Sequence, residues 1–406
     1  MTASALLIRI TGHDRPGVTH ALTTTLARYD VRILDVGQAV IHDGLALGIL
    51  VEMPESLRSS ALLTDVLLES HRLGVEVQFS ASSAEEYGAW VAAQSRQRFI
   101  ITLLGPAITA AHLATTSGIL AAAGLNIDRI DRLSSRVPMA PSDAQQRSCV
   151  ELSATPSRPV DEDLVRTELA RMTDAGDLDV AFQHDSIFRR NRRLVAFDMD
   201  STLIQGEVID ELARCAGVGD QVAAITERAM RGELDFQQSF RQRVALLKGL
   251  PESALAQVVE RVPLTDGAER LVGTLRRLGY KTAILSGGFT FFGRVLQQRL
   301  GIDHLHANTL DIRDGLATGE VMDPIVDGAM KAQRLAEIAR HEGLSLEQCI
   351  AVGDGANDLP MLRLAGLGIA FRAKPLVRSH ARQSISAMGL DGILYLIGVR
   401  DRDIES

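Results

Sequence analysis

The stretch Leu194-Val-Ala-Phe-Asp198-Met-Asp200-Ser-Thr202 decides the fold of the second half of the chain. Its apolar start predicts a buried strand, which ends in two acidic residues two positions apart and a Ser-Thr turn. Ligands of open α/β sheets bind just beyond the carboxyl ends of the strands, where Asp198 and Asp200 fall. Two carboxylates this close repel each other unless a cation or a proton separates them. Taken alone, the pattern also fits a turn that only caps a strand.

A second acidic loop follows another apolar strand, in the sequence Cys349-Ile-Ala-Val-Gly353-Asp354-Gly-Ala-Asn357-Asp358. The two strand ends direct carboxylates at the same crevice of a parallel sheet. Hard oxygen ligands in such loops suit Mg²⁺, which takes only a few protein carboxylates. A calcium loop of the EF-hand type is excluded, because no glutamate follows at the required distance. We therefore expect a magnesium site at this edge.

Two further features predict an anion site. The sequence Ala-Ile-Leu-Ser286-Gly287-Gly ends a strand with a hydroxyl and free backbone N–H groups and opens a helix, which is typical of a phosphate seat. Lys331 begins a helix predicted over residues 331–341, where a cation opposes the helix dipole unless an anion compensates it. A plain strand-to-helix turn and a solvated surface lysine are the alternatives.

From residue 194 onward, predicted strands alternate with helices, which indicates a parallel α/β sheet. A hairpin around Asp314-Gly315 interrupts this alternation. Residues 206–263 contain about four helical segments and no strand pattern, so we expect an inserted helical cap.

The first half contains an internal repeat of two βαββαβ units, each an antiparallel sheet covered on one face by two helices. We place the units at residues 1–83 and 97–184 and the α/β domain at 190–400. The basic run Arg189–Arg193 lies between the last two, and we interpret it as a solvated hinge rather than a phosphate or membrane contact, since runs of charge usually face water.

Composition excludes several classes of protein. A chain of 406 residues is long enough for two to four domains. With 4% aromatic residues and a net charge of −8, we expect no nucleic-acid partner. Three cysteines without CxxC spacing fit a reducing, cytoplasmic compartment. The uncharged stretch Phe99–Ile127 breaks at Gly105-Pro106, so we expect no membrane association.

The ordered motifs at Asp198–Thr202, Ser286–Gly288, Lys331 and Gly353–Asp358 resemble those of the haloacid dehalogenase superfamily of phosphatases. The helical insert is similar to the small four-helix cap of one subclass. Its sequences around Glu207 and from Phe236 to Arg243 resemble those of members that hydrolyse phosphoserine, the phospho-amino acid expected as substrate here. The two N-terminal units resemble ACT domains, which often bind amino acids.

The resemblance implies a role for each motif. Asp198 would be the nucleophile that forms an aspartyl-phosphate, and Asp200 the general acid and base. Mg²⁺ would be held by Asp198, the backbone carbonyl of Asp200 and Asp354, with Asp358 orienting these ligands. Residues that would hold the phosphoryl group or complete its site are Ser286, Gly287, Lys331 and Asn357.

Substrate specificity would come from the cap. Glu207 matches the ammonium group of phosphoserine and Arg243 its carboxylate, which a guanidinium can bind through two hydrogen bonds. Phe236 would line the pocket. Taken one at a time, Glu207 and Arg243 are also compatible with surface charges on amphipathic helices, and Phe236 with a core aromatic.

The ACT-like half would be regulatory. The loop Gly12-His-Asp-Arg-Pro-Gly17 resembles an amino-acid-binding loop, and the second copy, at Gly105, departs from its pattern. We expect serine to act as an effector through Gly17 or Gly105, and the chain to form a homodimer through these units. The alternatives are a purely dimerising half, a different small phosphomonoester such as phosphothreonine or phosphohomoserine as substrate, and an amino-acid sensor whose phosphatase half is only a scaffold.

Overall fold

A computed structural model of the chain describes residues 4–53, 61–94, 97–136, 147–173 and 176–404. The chain divides into two compact units, residues 1–96 and 97–406. Within the described ranges, no helix combines the length and apolar character that crossing a membrane requires.

The first unit is an antiparallel sheet with strand order β2-β3-β1-β4. Its elements are β1 (Ser4–His13), α1 (Val18–Ala27), β2 (Ile33–Ile41), β3 (Gly44–Met53), α2 (Ala61–Arg72), β4 (Glu76–Ser82) and α3 (Ala84–Gln94). Alternate residues of β3 are buried and pack with Leu22 of α1 and Val66 of α2, so these two helices cover one face of the sheet. The segment predicted to link the two repeats contains α3.

The second unit begins with another βαββαβ arrangement. Its elements are β5 (Phe99–Gly105), α4 (Ala110–Ala122), β6 (Leu125–Arg132), β7 (Ser148–Pro156), α5 (Glu162–Arg171) and β8 (Asp179–His184). The strand order β6-β7-β5-β8 corresponds to that of the first unit, which confirms the internal repeat. Strand β5 is buried along its whole length, because helices cover one face of this sheet and the rest of the unit covers the other.

The remainder of the second unit is an α/β domain. Its elements are β9 (Leu194–Phe197), α6 (Val208–Cys215), α7 (Gly219–Met230), α8 (Phe236–Ala245), α9 (Glu252–Arg261), α10 (Ala268–Arg277), β10 (Lys281–Phe289), α11 (Thr290–Leu300), β11 (His304–Arg313), β12 (Leu316–Met322), α12 (Gly328–His341), β13 (Cys349–Gly353), α13 (Leu359–Leu364), β14 (Leu367–Phe371), α14 (Pro375–His380), β15 (Gln383–Ile385), α15 (Ile393–Leu396) and α16 (Asp401–Ile404).

The seven-stranded sheet of this domain has the order β12-β11-β10-β9-β13-β14-β15. Strands β9, β10, β13, β14 and β15 pair in parallel, as predicted, and the β11–β12 hairpin turns at Asp314 and Gly315, both at positive φ. The inserted cap consists of α6 to α9, and an isolated bridge between Ile204 and Leu264 joins its entry to its exit. Strand β9 lies between β10 and β13, so three strand ends carrying the predicted motifs are neighbours.

The interpretation of Arg189–Arg193 as a solvated hinge is wrong for two of its residues. Arg189 and Arg192 are 2% and 5% exposed. Arg189 forms an ion pair with Glu151 of β7, and Arg192 donates a hydrogen bond to the backbone carbonyl of Arg189. Arg189 and Arg192 are buried because the second βαββαβ arrangement packs directly on the α/β domain, and Glu151 supplies the negative charge that buried Arg189 requires.

Candidate active site

Three carboxylates meet at the carboxyl edge of the sheet. Oxygen atoms of Asp198, Asp354 and Asp358 lie within 4.8 Å of one another. Lys331, in the first turn of α12, is fully buried against them, with Nζ 2.9 Å from Asp198 Oδ1 and 2.7 Å from Asp358 Oδ1. Burial alone would lower the pKa of Lys331, but the two adjacent carboxylates raise it above its usual value. The alternative of a solvated surface lysine is therefore wrong.

Hydrogen bonds hold the backbone of Asp198 and one of its two carboxylate oxygens in place. The Asp198 backbone N–H continues the sheet by donating to Val352 O over 2.9 Å. Its Oδ1 accepts from Met199 N at 2.7 Å as well as from Lys331. In the described part of the chain, Oδ2 receives no hydrogen bond, so this oxygen is available to a ligand.

Asp200 faces a different environment two residues later. The chain turns sharply after Asp200, before it enters the cap, and Ser201 at this turn is in the left-handed region at φ 54°. Asp200 Oδ1 accepts from Val208 N at 2.9 Å, at the start of α6. Burial, and then the nearby charges of Glu207 and Asp198, raise the pKa of Asp200 well above its usual value. A carboxyl group with such a pKa keeps its proton and can donate it.

The carboxylate cluster carries more negative charge than Lys331 offsets. Burial and neighbouring carboxylates raise the pKa of Asp354 to about 8 and that of Asp358 to about 7. Thr202 Oγ1 lies 3.4 Å from Asp354 Oδ1, and Asp358 Oδ2 accepts from Gly355 N at 3.0 Å. A divalent cation would relieve this repulsion, and an all-oxygen donor set is the one Mg²⁺ prefers. The residues present therefore fit the predicted metal.

The Ser286–Gly288 loop lies against Asp200. Ser286 is fully buried and its Oγ accepts from Gly288 N at 2.9 Å. A Cβ atom on Gly288 would lie 2.4 Å from Asp200 Oδ2, so only glycine allows this approach. The loop thus brings a hydroxyl and backbone N–H groups next to the carboxyl pair, as a phosphate seat requires.

Asn308 of β11 holds this loop and was not among the predicted site residues. It is 1% exposed, donates from Nδ2 to Gly287 O at 2.8 Å and accepts at Oδ1 from Val326 N at 2.7 Å. Val326 lies just before α12, the helix that carries Lys331. The side chain of Asn308 therefore connects the Ser286–Gly288 loop to the start of the lysine helix. Strand β11 carries several other polar side chains, so nothing in the sequence distinguished Asn308 from them.

The cap carries the three predicted specificity residues, and one of them, Phe236, lies against this loop. A Cβ atom on Gly287 would lie 2.8 Å from Cζ of Phe236, so the phenyl ring covers the loop. Glu207 is exposed and accepts from Ser201 Oγ at 3.1 Å. Arg243 has a buried Nε without a hydrogen-bond partner among the described residues, and burial lowers its pKa.

The other predicted residues take different positions. The Asn357 side chain folds over Gly355, beside the acidic loop, and its backbone carbonyl packs against Gly328 at the start of α12. Gly17 has φ 98° at the start of α1 in the first unit. Gly105, in the second unit, pairs with Ser148 and packs against the Asp177 carbonyl, where a Cβ atom would lie at 2.5 Å. Gly105 therefore ends a packed strand rather than lying in an open loop.

Strand-end carboxylates, a buried lysine, a Ser-Gly-Gly loop and a helical cap define a haloacid dehalogenase-like hydrolase, and the model of that family matches residues 192–366. A model of the ACT domain matches residues 4–80. Among solved structures, a HAD-family hydrolase from Salmonella enterica serovar Typhi has a TM-score of 0.62 at 33% identity, covering 74% of this chain and 98% of that one.

Curated relatives cover the whole chain. Phosphoserine phosphatase of Streptomyces coelicolor is 42% identical over 99% of this chain and 94% of the relative. Phosphoserine phosphatase SerB2 of Mycobacterium tuberculosis is 41% identical over 99% of this chain and 95% of its own length. The chain belongs to the phosphoserine phosphatases and is a phosphatase with an N-terminal ACT domain.

Proposed function

We propose that the enzyme hydrolyses O-phospho-L-serine to L-serine and phosphate through an aspartyl-phosphate on Asp198, with Mg²⁺, as the last step of serine biosynthesis. One observation carries this proposal: Asp198 Oδ1 is held by Lys331 Nζ at 2.9 Å, which leaves Oδ2 available to attack phosphorus. A carboxylate suits the task, because phosphoryl transfer needs alignment and charge neutralisation more than a strong base.

In the first step, Asp198 Oδ2 forms a bond to phosphorus as the bond from phosphorus to the serine oxygen breaks. Asp200 gives its proton to the departing serine oxygen, a role that its raised pKa supports. Ser286 Oγ, the Gly287 N–H and Lys331 stabilise the charge on the phosphoryl oxygens.

In the second step, water attacks the phosphorus of the aspartyl-phosphate and the bond to Asp198 breaks. Asp200, now ionised, takes the proton of the attacking water, which restores its starting state and releases phosphate. Phe236 and the cap above Gly287 exclude other water during both steps.

Mg²⁺ would be held by Asp198, Asp354 and the backbone carbonyl of Asp200. Asp358, which pairs with Lys331 and accepts from Gly355 N, would orient these ligands. The ion supplies charge neutralisation of the phosphoryl group and of the carboxylates around it. The raised pKa values of Asp354 and Asp358 support a site built for a cation.

Specificity for phosphoserine rests on the charge pattern of the cap. Arg243 has a buried Nε with no hydrogen-bond partner in the described ranges, and a substrate carboxylate would satisfy its guanidinium. Glu207, with its oxygen toward Ser201, would take the ammonium group. A substrate that lacks the carboxylate leaves the buried Nε of Arg243 without a partner, which costs free energy.

We further propose that serine regulates the enzyme through the ACT-like units and that the chain is a homodimer. The exposed edge strand β2 supports an interface, since Val36 and Ile41 are 55% and 81% exposed on a strand with one free side. Deletion of residues 1–96, which form a separate compact unit, should then remove or weaken serine sensitivity. Inhibition that persists unchanged would instead indicate product inhibition at the active site.

The test is phosphate release from a panel of phospho-amino acids, with and without a chelator. We expect phosphoserine to be hydrolysed at least ten times faster than phosphothreonine or phosphohomoserine, and the chelator to stop release. Preference for another phosphomonoester would contradict the substrate, and release that persists with the chelator would contradict the metal. Serine binding without any phosphate release would indicate a sensor with a scaffold phosphatase half.

A further inference from the structure

A cleft of about 610 Å³ opens in the second unit, away from the carboxylate cluster. Helix α5 of the βαββαβ arrangement forms one wall, and α14 and β15 of the α/β domain form the other. Its volume lies in the range of small-molecule sites, roughly 300–1,000 Å³. None of the residues placed in the active site lines it.

The floor of the cleft joins the two walls. Gln383 of β15 accepts from Phe182 N at 3.0 Å and donates to Phe182 O at 2.7 Å, so its amide binds the edge of β8 as another strand would. Both residues line the cleft, and Gln383 is 6% exposed. The two walls are therefore held at a defined separation.

Two of the four arginines that line the cleft are already satisfied. Arg166 donates to Phe182 O at 2.9 Å, pairs with Glu162 and lies over the Phe182 ring. Arg171 pairs with Glu168 at 2.6 Å. The positive charges of both arginines are thus offset by glutamates of α5, so neither is free to bind an anionic ligand.

The other two arginines face them from the α/β domain. Arg378, half-buried on α14, and Arg382, just before β15, have no ion pair or side-chain hydrogen bond among the described residues. Asp163 is the one acidic side chain in the lining, and it forms no ion pair with either guanidinium group among the described residues. The lining also includes the apolar side chains of Val180 and Pro375 and the hydroxyl groups of Thr167 and Ser384.

We propose that this cleft binds a small organic anion, whose carboxylate or phosphate group is held by Arg378 and Arg382 and whose apolar part lies against Val180 and Pro375. Guanidinium groups bind either oxyanion through paired, charge-assisted hydrogen bonds. An apolar wall next to them favours an organic anion over an inorganic one. Because the ligand would touch both walls, it would strengthen the contact between the βαββαβ arrangement and the α/β domain.

The test is calorimetric titration of the full chain with phenyl phosphate and, separately, with benzoate, in EDTA to stop turnover. Both probes carry the same ring, so their comparison separates phosphate from carboxylate recognition. We expect one of them to bind, with at least a tenfold loss of affinity in Arg378→Gln/Arg382→Gln. The variant Ala170→Trp, which fills the cleft from α5 without removing charge, should lose binding as well.

The matched control is Arg340→Gln/Arg363→Gln, which removes the same charge from exposed helix positions outside the cleft. It should bind the probe like the unmodified chain, and all variants should hydrolyse phosphoserine at unchanged rates without the probe. Absence of binding, or binding equally strong in Arg378→Gln/Arg382→Gln, overturns the proposal. Heat that survives in full in both cleft variants comes from binding at the active site and likewise overturns the proposal.

Discussion

The environment of Lys331 could be predicted in part from its position in the sequence. Its position in the first turn of a helix opposes the helix dipole, and this conflict predicted a compensating anion. The structure provides two, Asp198 and Asp358, and buries all three side chains. Their full burial could not be predicted, because it depends on how α12 packs on the sheet. Removing one partner of such a cluster leaves an uncompensated charge, at a cost of about 3–5 kcal/mol.

Arg243 is the residue on which substrate choice depends most. We predict that Arg243→Ala lowers kcat/KM for phosphoserine about 100-fold, because the substrate carboxylate loses charge-assisted hydrogen bonds worth roughly 2–3 kcal/mol. Turnover of a small aryl phosphate, which has no carboxylate, should change less than threefold. Steady-state kinetics on both substrates measures this difference.

The matched control for that variant lies two residues earlier on the same helix. Arg241 is exposed and pairs with Asp323 rather than with the site. Arg241→Ala should leave the ratio of the two substrates unchanged. Equal losses on both substrates in Arg243→Ala would contradict the assignment of Arg243 to the carboxylate.

At the scale of elements, the site depends on how the loop after β10 is fixed to the start of α12. Asn308→Ala removes both buried hydrogen bonds that make this connection. We predict a loss of about 2 kcal/mol in the free energy of unfolding and a roughly tenfold lower kcat, because Ser286 and Gly287 lose their fixed position. Thr309→Ala, at the exposed neighbouring position, should change neither. A normal kcat in Asn308→Ala would show that the loop is held without this side chain.

The strands that carry the site could be predicted from the sequence, because each is marked by an apolar run directly before a motif. Apolar runs before Asp198, Ser286 and Asp354 predicted three strand ends, and their meeting at one edge follows from a parallel sheet. Asn308 was missed because a single buried amide inside a strand belongs to no motif. Its partners, Gly287 and Val326, are brought to it only by the fold.

At the scale of the whole molecule, the sequence misjudged the junction after the second repeat. Arg189 and Arg192 looked like part of a solvated hinge, because runs of charge usually face water. Arg189 pairs with Glu151 of β7, which is 6% exposed, and Arg192 donates to Gln183 Oε1 of β8. Glu151 lies inside strand β7, and its role as the partner of Arg189 becomes apparent only with the fold. The second βαββαβ arrangement is thus firmly joined to the α/β domain.

Asp179 at this junction gives the stability of the second unit a pH dependence. It accepts from Ser386 N at 2.7 Å and Ala387 N at 2.9 Å, and burial raises its pKa to about 6 from an unfolded value of about 3.9. The folded state therefore binds the proton more tightly, and this contribution to stability is lost as pH rises from about 4 to about 6.

Asp179→Asn removes this titration. We predict that the unfolding free energy of the unmodified chain, minus that of Asp179→Asn, falls by up to about 3 kcal/mol between pH 4 and 6.5. Denaturant titrations at several pH values, followed for residues 97–406 within the full chain, measure the difference. A difference that is constant or grows with pH would show that the folded-state pKa is not raised.

The central claim is that Asp198 carries the phosphoryl group of phosphoserine during turnover. The most direct measurement mixes the enzyme with phosphoserine and Mg²⁺, quenches it in acid within one turnover and locates the modification by peptide mass spectrometry. We predict one added phosphoryl group on Asp198, and neither this group nor phosphate release in a folded Asp198→Asn variant. A phosphoryl group on another residue, or phosphate release by Asp198→Asn at a normal rate, would contradict it.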